Sequence, residues 1–159
     1  MKSASTVRIF VISTILMFII DQATKAIISH LIPENSFVEI SSFFYVTNIK
    51  NPGICFGFLS NTNCFPFLVV TSLFAVVFIL YLVLRHPARL SSYACLCLGL
   101  IEGGILGNLS DRLRFKSVVD FIDFHNIWPV FNFADTGIVC GVICLIFLTL
   151  WRKNAPRVS

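Results

Sequence analysis

The stretch "FPFLVVTSLFAVVFILYLVL", residues 65–84, runs twenty residues without a charge. A helix needs about 20 consecutive apolar residues to cross the hydrocarbon core of a bilayer. In lipid every backbone polar group must be satisfied internally, so the run is predicted to be a membrane-spanning helix. That one segment removes the ordinary soluble folds from consideration. The composition agrees, with 57% hydrophobic and only 13% charged residues, against roughly 25% charged in a soluble domain. The length suits a single unit over residues 1–159.

Three more segments are candidates to span. "LSSYACLCLGLIEGGILGNL", residues 90–109, is interrupted only by Glu102. "IFVISTILMFII", residues 9–20, is too short alone and must continue through "DQATKAII", which draws Asp21 and Lys25 to membrane level. "TGIVCGVICLIFLTLW", residues 136–151, needs a few neighbours, which leaves Asp135 near the interface. The expected spans are therefore about 8–28, 65–84, 90–109 and 135–151. Lys2 and Arg8 before a short apolar core also fit the start of a cleavable signal peptide. No A-x-A-like site follows, so an uncleaved first span is expected.

Seven of the twelve Lys and Arg lie in the N-terminal tail, the loop after the second span and the C-terminal tail, and none of the eight acids does. The positive-inside rule makes that side cytoplasmic, with both termini there. Arg112, Arg114 and Lys116 are an exception on the outer face, softened by nearby Asp111, Asp120 and Asp123. The net charge of +4 is thus a topology signal. No basic patch interleaved with stacking aromatics points to nucleic acid.

The outer segment "SFVEISSFFYVTNIKNPGICFGF" is rich in β-formers and contains the turn "NPG", so one or two short strands and a turn are expected. A second outer stretch, residues 111–134, is too charged to span, and Trp128 suits headgroup level. The expected fold is a mainly α membrane protein with four transmembrane helices and a small outer-face β-rich segment. Gly99, Gly103 and Gly107, at four-residue spacing, and Gly137 with Gly141 predict close helix packing. Four cysteines lie in spans, where thiols behave as small apolar groups. Cys55 and Cys64 lie outside, where an oxidising compartment permits a disulfide, the less favoured of their two states.

An acid inside a span is costly and marks function by default. Asp21 has a bland reading, since Lys25 follows one turn later and forms an i, i+4 pair. Asp111 precedes Arg112 and fits a charge and hydrogen-bond network around Asn108. Glu102 has no partner visible in the sequence. Asp120 in "VVDFI" and Asp135 in "FNFAD" stand among apolar residues with no adjacent cation. If they meet, two like charges cannot both ionise comfortably and one proton is shared. Such a pair hydrolyses a peptide without metal: one acid deprotonates water while the other polarises the carbonyl. Spacing alone leaves open whether they meet. A metal site from Asp120, Asp123 and His125 is a weak signal. A small transporter, or a scaffold using its glycine faces, also fits the bare pattern.

The motifs "DQATK" (21–25), "NPGICFGF" (51–58), "GGILGNLSDR" (103–112), "VVDFIDF" (118–124) and "FNFAD" (131–135) together resemble bacterial lipoprotein signal peptidase, the type II signal peptidase. The resemblance runs in order through the whole chain. It implies a four-span aspartic endopeptidase of the inner membrane, active near the periplasmic face. Its substrate would be diacylglyceryl-modified prolipoprotein, cut just before the lipidated cysteine, with membrane lipid around it, no cofactor and inhibition by globomycin-type cyclic peptides. It assigns catalysis to Asp120 and Asp135, and site-shaping or substrate binding to Asp21, Lys25, Asn51, Gly53, Asn108, Asp111, Arg112 and Asn132. Cys55, Ile105 and Thr136 depart from the usual residues. The outer strand around Asn51 is expected to clamp the extended signal peptide by added backbone hydrogen bonds.

Overall fold

Four helices carry the apolar runs, and in this computed structural model residues 2–53, 64–125 and 127–154 are described. The order is α1 (Lys2–Leu31), β1 (Phe37–Ser41), β2 (Phe44–Asn51), α2 (Phe65–Arg85), α3 (Ser92–Phe115), β3 (Val118–Asp123) and α4 (Phe133–Asn154). Each helix contains a segment long and apolar enough to cross a membrane. The exposed surface is itself apolar, as lipid contact requires: Phe67, Val70, Phe74 and Val77 of α2 all face outward. Cys55 and the rest of "ICFGF" lie outside the described residues.

The exception is α3, which is buried along most of its length. Its position follows from its glycines. A Cβ at Gly99 or Gly103 would lie 2.7 and 2.5 Å from the carbonyl oxygens of Phe10 and Thr14, so α1 packs backbone to backbone along this face. A Cβ at Gly104 would meet the Ala134 carbonyl at 2.5 Å, and one at Gly141 the Cys97 carbonyl at 2.8 Å. Small residues thus bring α1 and α4 onto two sides of α3. Phe10, Ile79, Val83, Cys95, Leu98 and Ile101 form the apolar core that joins α2 to the same helix.

α3 runs past the expected end at residue 109, so Asp111 and Arg112 are helical residues and not the start of an outer loop. The charge is tolerated because Asp111 meets Lys25 of α1 at 3.0 Å. α1 likewise exceeds its expected span at both ends. Helix α3 closes on Lys116, which adopts a left-handed φ of 59° and donates its N–H to the Arg112 carbonyl. That turn feeds the chain into β3.

The outer β-rich segment is a three-stranded antiparallel sheet in the order β1-β2-β3. The one or two strands expected in the first outer segment are β1 and β2, whereas the third strand, "VVDFID", lies in the second outer stretch, for which no strand is expected from the sequence. Tyr45 pairs with Asp123 and Val46 with Ile122, but the next pair is Ile49 with Asp120. The extra residue on β2 is a bulge, a device that re-aims side chains locally. Pairing of β2 with β1 stops at Thr47, while pairing with β3 continues to Asn51.

Candidate active site

Where the sheet meets the helix ends, polar side chains from all parts of the chain converge. Asp120, Asn132, Asn108, Asp21, Lys25 and Asp111 are all buried. They come from α1, α3, β3 and the entry to α4.

The entry to α4 is built by two residues. Asn132 precedes the first helical residue, and its Oδ1 accepts the backbone N–H of Asp135 at 2.9 Å. The Asp135 carboxylate reciprocates, accepting the N–H of Asn132 through Oδ2 at 3.2 Å. This is a capping box, with Asn and Asp in place of the usual hydroxyl residue and Glu. Thr136 closes the turn by donating to the Asn132 carbonyl at 3.0 Å. Buried Asp21 of α1 supplies a further cap, accepting the N–H of Ala134 at 2.9 Å. Asp21 fits there because residue 107 is glycine: a Cβ would collide with its Oδ2.

Asn132 also ties the two candidate acids together. Its Nδ2 donates to Asp120 Oδ1 at 2.7 Å while its Oδ1 holds the Asp135 backbone. The other Asp120 oxygen accepts from Asn51 Nδ2 at 2.9 Å. Asn51 is oriented by Gly53, whose N–H donates to Asn51 Oδ1 at 3.0 Å, leaving the amide nitrogen for the acid. Asp135 Oδ1 accepts from Asn108 Nδ2 at 2.8 Å.

The orientation of Asn108 is fixed from below. Lys25 reaches Asp21 at 2.8 Å, Asp111 at 3.0 Å and Asn108 Oδ1 at 2.9 Å, which employs all three donors of its ammonium. The i, i+4 pair of Asp21 and Lys25 read from the sequence is therefore one arm of a larger network. Asp111 also accepts the backbone N–H of Val119 at 3.2 Å, which fastens β3 to α3. Its partner is Lys25, not the adjacent Arg112. Arg112 instead donates to the Asn108 carbonyl at 3.4 Å and lies close enough to interact with Asp135 and Asp120.

The two acids sit in different environments. Asp120 is buried on the sheet, and desolvation pushes its pKa up from 3.8 to about 7; the charge of Asp135 adds to the rise. The Asn51 and Asn132 hydrogen bonds and the charge of Lys25 act against it without cancelling it. Asp135 is half-buried in the first turn of α4, where the positive end of the helix dipole favours a negative charge. Asp120 is thus the acid of the two whose surroundings favour a bound proton.

Gln22 has no role in the sequence reading, yet it bridges the network, donating to Asp21 at 3.2 Å, the Gly107 carbonyl at 3.2 Å and Asp111 at 2.9 Å. Its signal is present in the chain, as an amide beside an acid inside an apolar span. Asp123 pairs with Tyr45 across the strands, and the His125 ring lies tilted against Tyr45 at 4.9 Å between centroids. Glu102 is buried in the bundle, and its Oε2 has no hydrogen-bond partner among the described residues.

Fold and site together define a polytopic membrane protein with a carboxylate pair at one end of its bundle. The chain is similar to a bacterial membrane enzyme solved by the in meso method, with a TM-score of 0.83, 26% identity, and coverage of 94% of this chain and 92% of that one. The family model described as Signal peptidase (SPase) II matches residues 13–151, and the chain belongs to that family. It is 41% identical to the lipoprotein signal peptidase of Pelotomaculum thermopropionicum over 143 residues, 89% of this chain and 91% of the relative. The lipoprotein signal peptidase of Moorella thermoacetica is 44% identical over 142 residues, 89% and 92% of the two chains.

Proposed function

We propose that this protein is an aspartic endopeptidase that removes signal peptides from diacylglyceryl-modified prolipoproteins, cutting just before the lipidated cysteine. The observation that carries the reading is the shared attachment of Asp120 and Asp135 to Asn132. Family membership supplies the substrate class.

The chemistry follows from the asymmetry of the pair. Asp135, as carboxylate, takes a proton from water while the water oxygen attacks the scissile carbonyl. Asp120 gives its proton to the carbonyl oxygen as the tetrahedral diol forms. On collapse, Asp135 passes its proton to the departing amide nitrogen and Asp120 recovers one from the diol, so both acids end as they began. Asn51, Asn108 and Asn132 hold the carboxyl groups in place throughout. Asn48 still bonds the chain before β1, its N–H to the Ser36 carbonyl and its carbonyl to the Asn35 N–H; beyond it, in the 49–51 segment that pairs with β3, the signal peptide adds as a strand, with Gly53 and Arg112 bordering its path.

In this reading the sheet end of the bundle lies at the periplasmic face of the inner membrane and both termini are cytoplasmic. The dyad then stands at the depth where a diacylglyceryl anchor presents the bond. Globomycin-type peptides would compete for the same cleft. Purified wild type, Asp120→Asn and Asp135→Asn, incubated with lipidated prolipoprotein, test the assignment by product mass. Wild type is expected to cut before the lipidated cysteine and each folded variant to lose roughly 10²–10⁴-fold or more in rate. Two folded variants that cut at the wild-type rate would overturn it.

A further inference from the structure

Five cations lie at the sheet end of the bundle: Lys25, Lys50, Arg112, Arg114 and Lys116. Three have evident employment. Lys25 holds Asp21 and Asp111, Lys50 pairs with Glu34, and Arg112 faces the acid pair. Arg114 and Lys116 are exposed, and none of the chain's eight acids forms an ion pair with them. Of the acids expected to offset them, Asp111 is held by Lys25 and Asp120 by Asn51 and Asn132, and Asp123 forms an ion pair with neither cation. Two cations without an acidic partner at this end run against the charge bias of the rest of the chain.

Next to Arg114 on α3, Leu113 forms part of a groove of about 400 Å³ between α1 and α3, walled by Thr14, Ile15 and Phe18 on one side and Leu106, Leu109, Ser110 and Leu113 on the other. Its wall is apolar apart from Ser110 and Thr14, and Thr14 spends its hydroxyl on the Phe10 carbonyl at 2.9 Å. The top of the groove is built as well. Gln22 stands one turn above Phe18 on α1, and its Oε1 accepts from Arg114 at 3.5 Å. The Arg114 guanidinium also lies 4.9 Å from the centre of the Phe115 ring, a cation–π contact that keeps it at the groove's upper rim. Leu113 and Phe115 on either side of Arg114 are both exposed.

We propose that this groove and its two cations form a binding site for an anionic phospholipid of the sheet-side leaflet, one acyl chain lying between α1 and α3 and the head-group phosphate held by Arg114 and Lys116. Leu106 to Leu113 rises about 10 Å along the helix axis, enough for the upper part of a chain in a leaflet whose hydrocarbon is about 15 Å deep. Charge selects the ligand, because a zwitterionic lipid fills the groove equally well but gains less from two cations. The site lies on the α1 side of α3 and does not depend on the peptidase reading.

The probe is phosphatidylglycerol with brominated acyl chains, diluted into phosphatidylcholine bilayers. The reporter is a tryptophan at Leu113 in a chain whose Trp128 and Trp151 are phenylalanine. Brominated phosphatidylglycerol should reach half-quenching at a mole fraction on the order of thirtyfold lower than brominated phosphatidylcholine, given about one and a half powers of ten for two surface cations. Arg114→Gln with Lys116→Gln should erase that preference, and Arg85→Gln with Arg89→Gln at the other end should not. Native mass spectrometry of the chain with its own tryptophans, comparing retained phosphatidylglycerol with and without the Arg114 and Lys116 changes, measures the same preference if the reporter variant misfolds. Equal quenching by the two lipids, or a preference that survives loss of both cations, overturns the site.

Discussion

Asn132 and Asp135 cap one another across the first turn of α4, side chain to backbone in both directions, at 2.9 and 3.2 Å. The turn that starts the helix is therefore the device that places one of the two acids. Because the same Asn132 amide reaches Asp120 at 2.7 Å, helix initiation and the spacing of the pair depend on a single side chain. Helix stability and site geometry are separable here by chemistry.

Asn132→Ser tests that separation. A serine hydroxyl still caps the Asp135 N–H, so the helix start should lose little against the ~1 kcal/mol that Asn132→Ala removes. It is too short to reach Asp120. The serine variant is expected to melt near wild type yet cleave lipidated substrate at least tenfold more slowly, read from a thermal melt and product mass on one preparation. Full activity in the serine variant would make Asn132 a cap and nothing more.

The raised pKa of Asp120 has a signed consequence. The mechanism needs Asp120 protonated, so the rate should fall as pH rises through about 7. Asn51 donates to Asp120 and favours its charged form. Asn51→Ala should therefore move the alkaline limb to higher pH, whatever it does to the maximum rate. Stability follows the same group: unfolded, the carboxyl titrates near 4, so between about pH 4 and 7 the native state binds the extra proton and stability falls as pH rises. Asp120→Asn should flatten that part of the stability curve. An alkaline limb that moves down in Asn51→Ala contradicts the assignment.

Much of this is written locally in the chain. The apolar runs give the four helices, and the glycines at four-residue spacing give the face on which α1 and α3 meet. The isolation of Asp120 and Asp135 among apolar neighbours singles them out. Other features depend on partners far away in sequence. Asp111 reads as the mate of Arg112, one residue on, yet its cation is Lys25, 86 residues earlier. The strand "VVDFID" is hydrophobic on both faces, since one packs on helices and the other on the site, and so lacks the alternation that marks a half-exposed strand. Gly104 gives no periodic signal of its own, although its contact with the Ala134 carbonyl sets how closely α4 approaches.

Gly104 and Gly107 yield different failures. A methyl at residue 104 meets backbone at Ala134 and the Ile138 side chain, so α4 must move as a body. A methyl at residue 107 meets the carboxylate of Asp21, which would be pushed off the Ala134 N–H and away from Lys25. Overpacking of this kind costs typically about 1–3 kcal/mol. Both alanine variants should melt lower than wild type. Adding Asp21→Asn, whose neutral amide is cheaper to displace, should lessen the penalty of Gly107→Ala and not that of Gly104→Ala. Equal effects in the two backgrounds would mean that the glycines act only through general packing.

Among the described residues, Lys25 is the sole cation paired with Asp21 and Asp111, both buried beneath the site. Removing one partner of a buried pair leaves uncompensated charge, a loss of roughly 3–5 kcal/mol. Lys25→Met should therefore be among the most destabilising single changes in the chain. It also leaves Asn108 Oδ1 with the Asn132 amide as its one donor, at 3.2 Å, so the side chain is held less firmly and can turn to present oxygen in place of nitrogen to Asp135. Neutralising the stranded acids with Asp21→Asn and Asp111→Asn should recover much of the melting temperature. Cleavage should stay low in that triple variant, because nothing charged then holds the Asn108 amide in the orientation that donates to Asp135. Recovery of stability and rate together would reduce Lys25 to charge balance, whereas recovery of stability alone identifies it as the residue that aims Asn108.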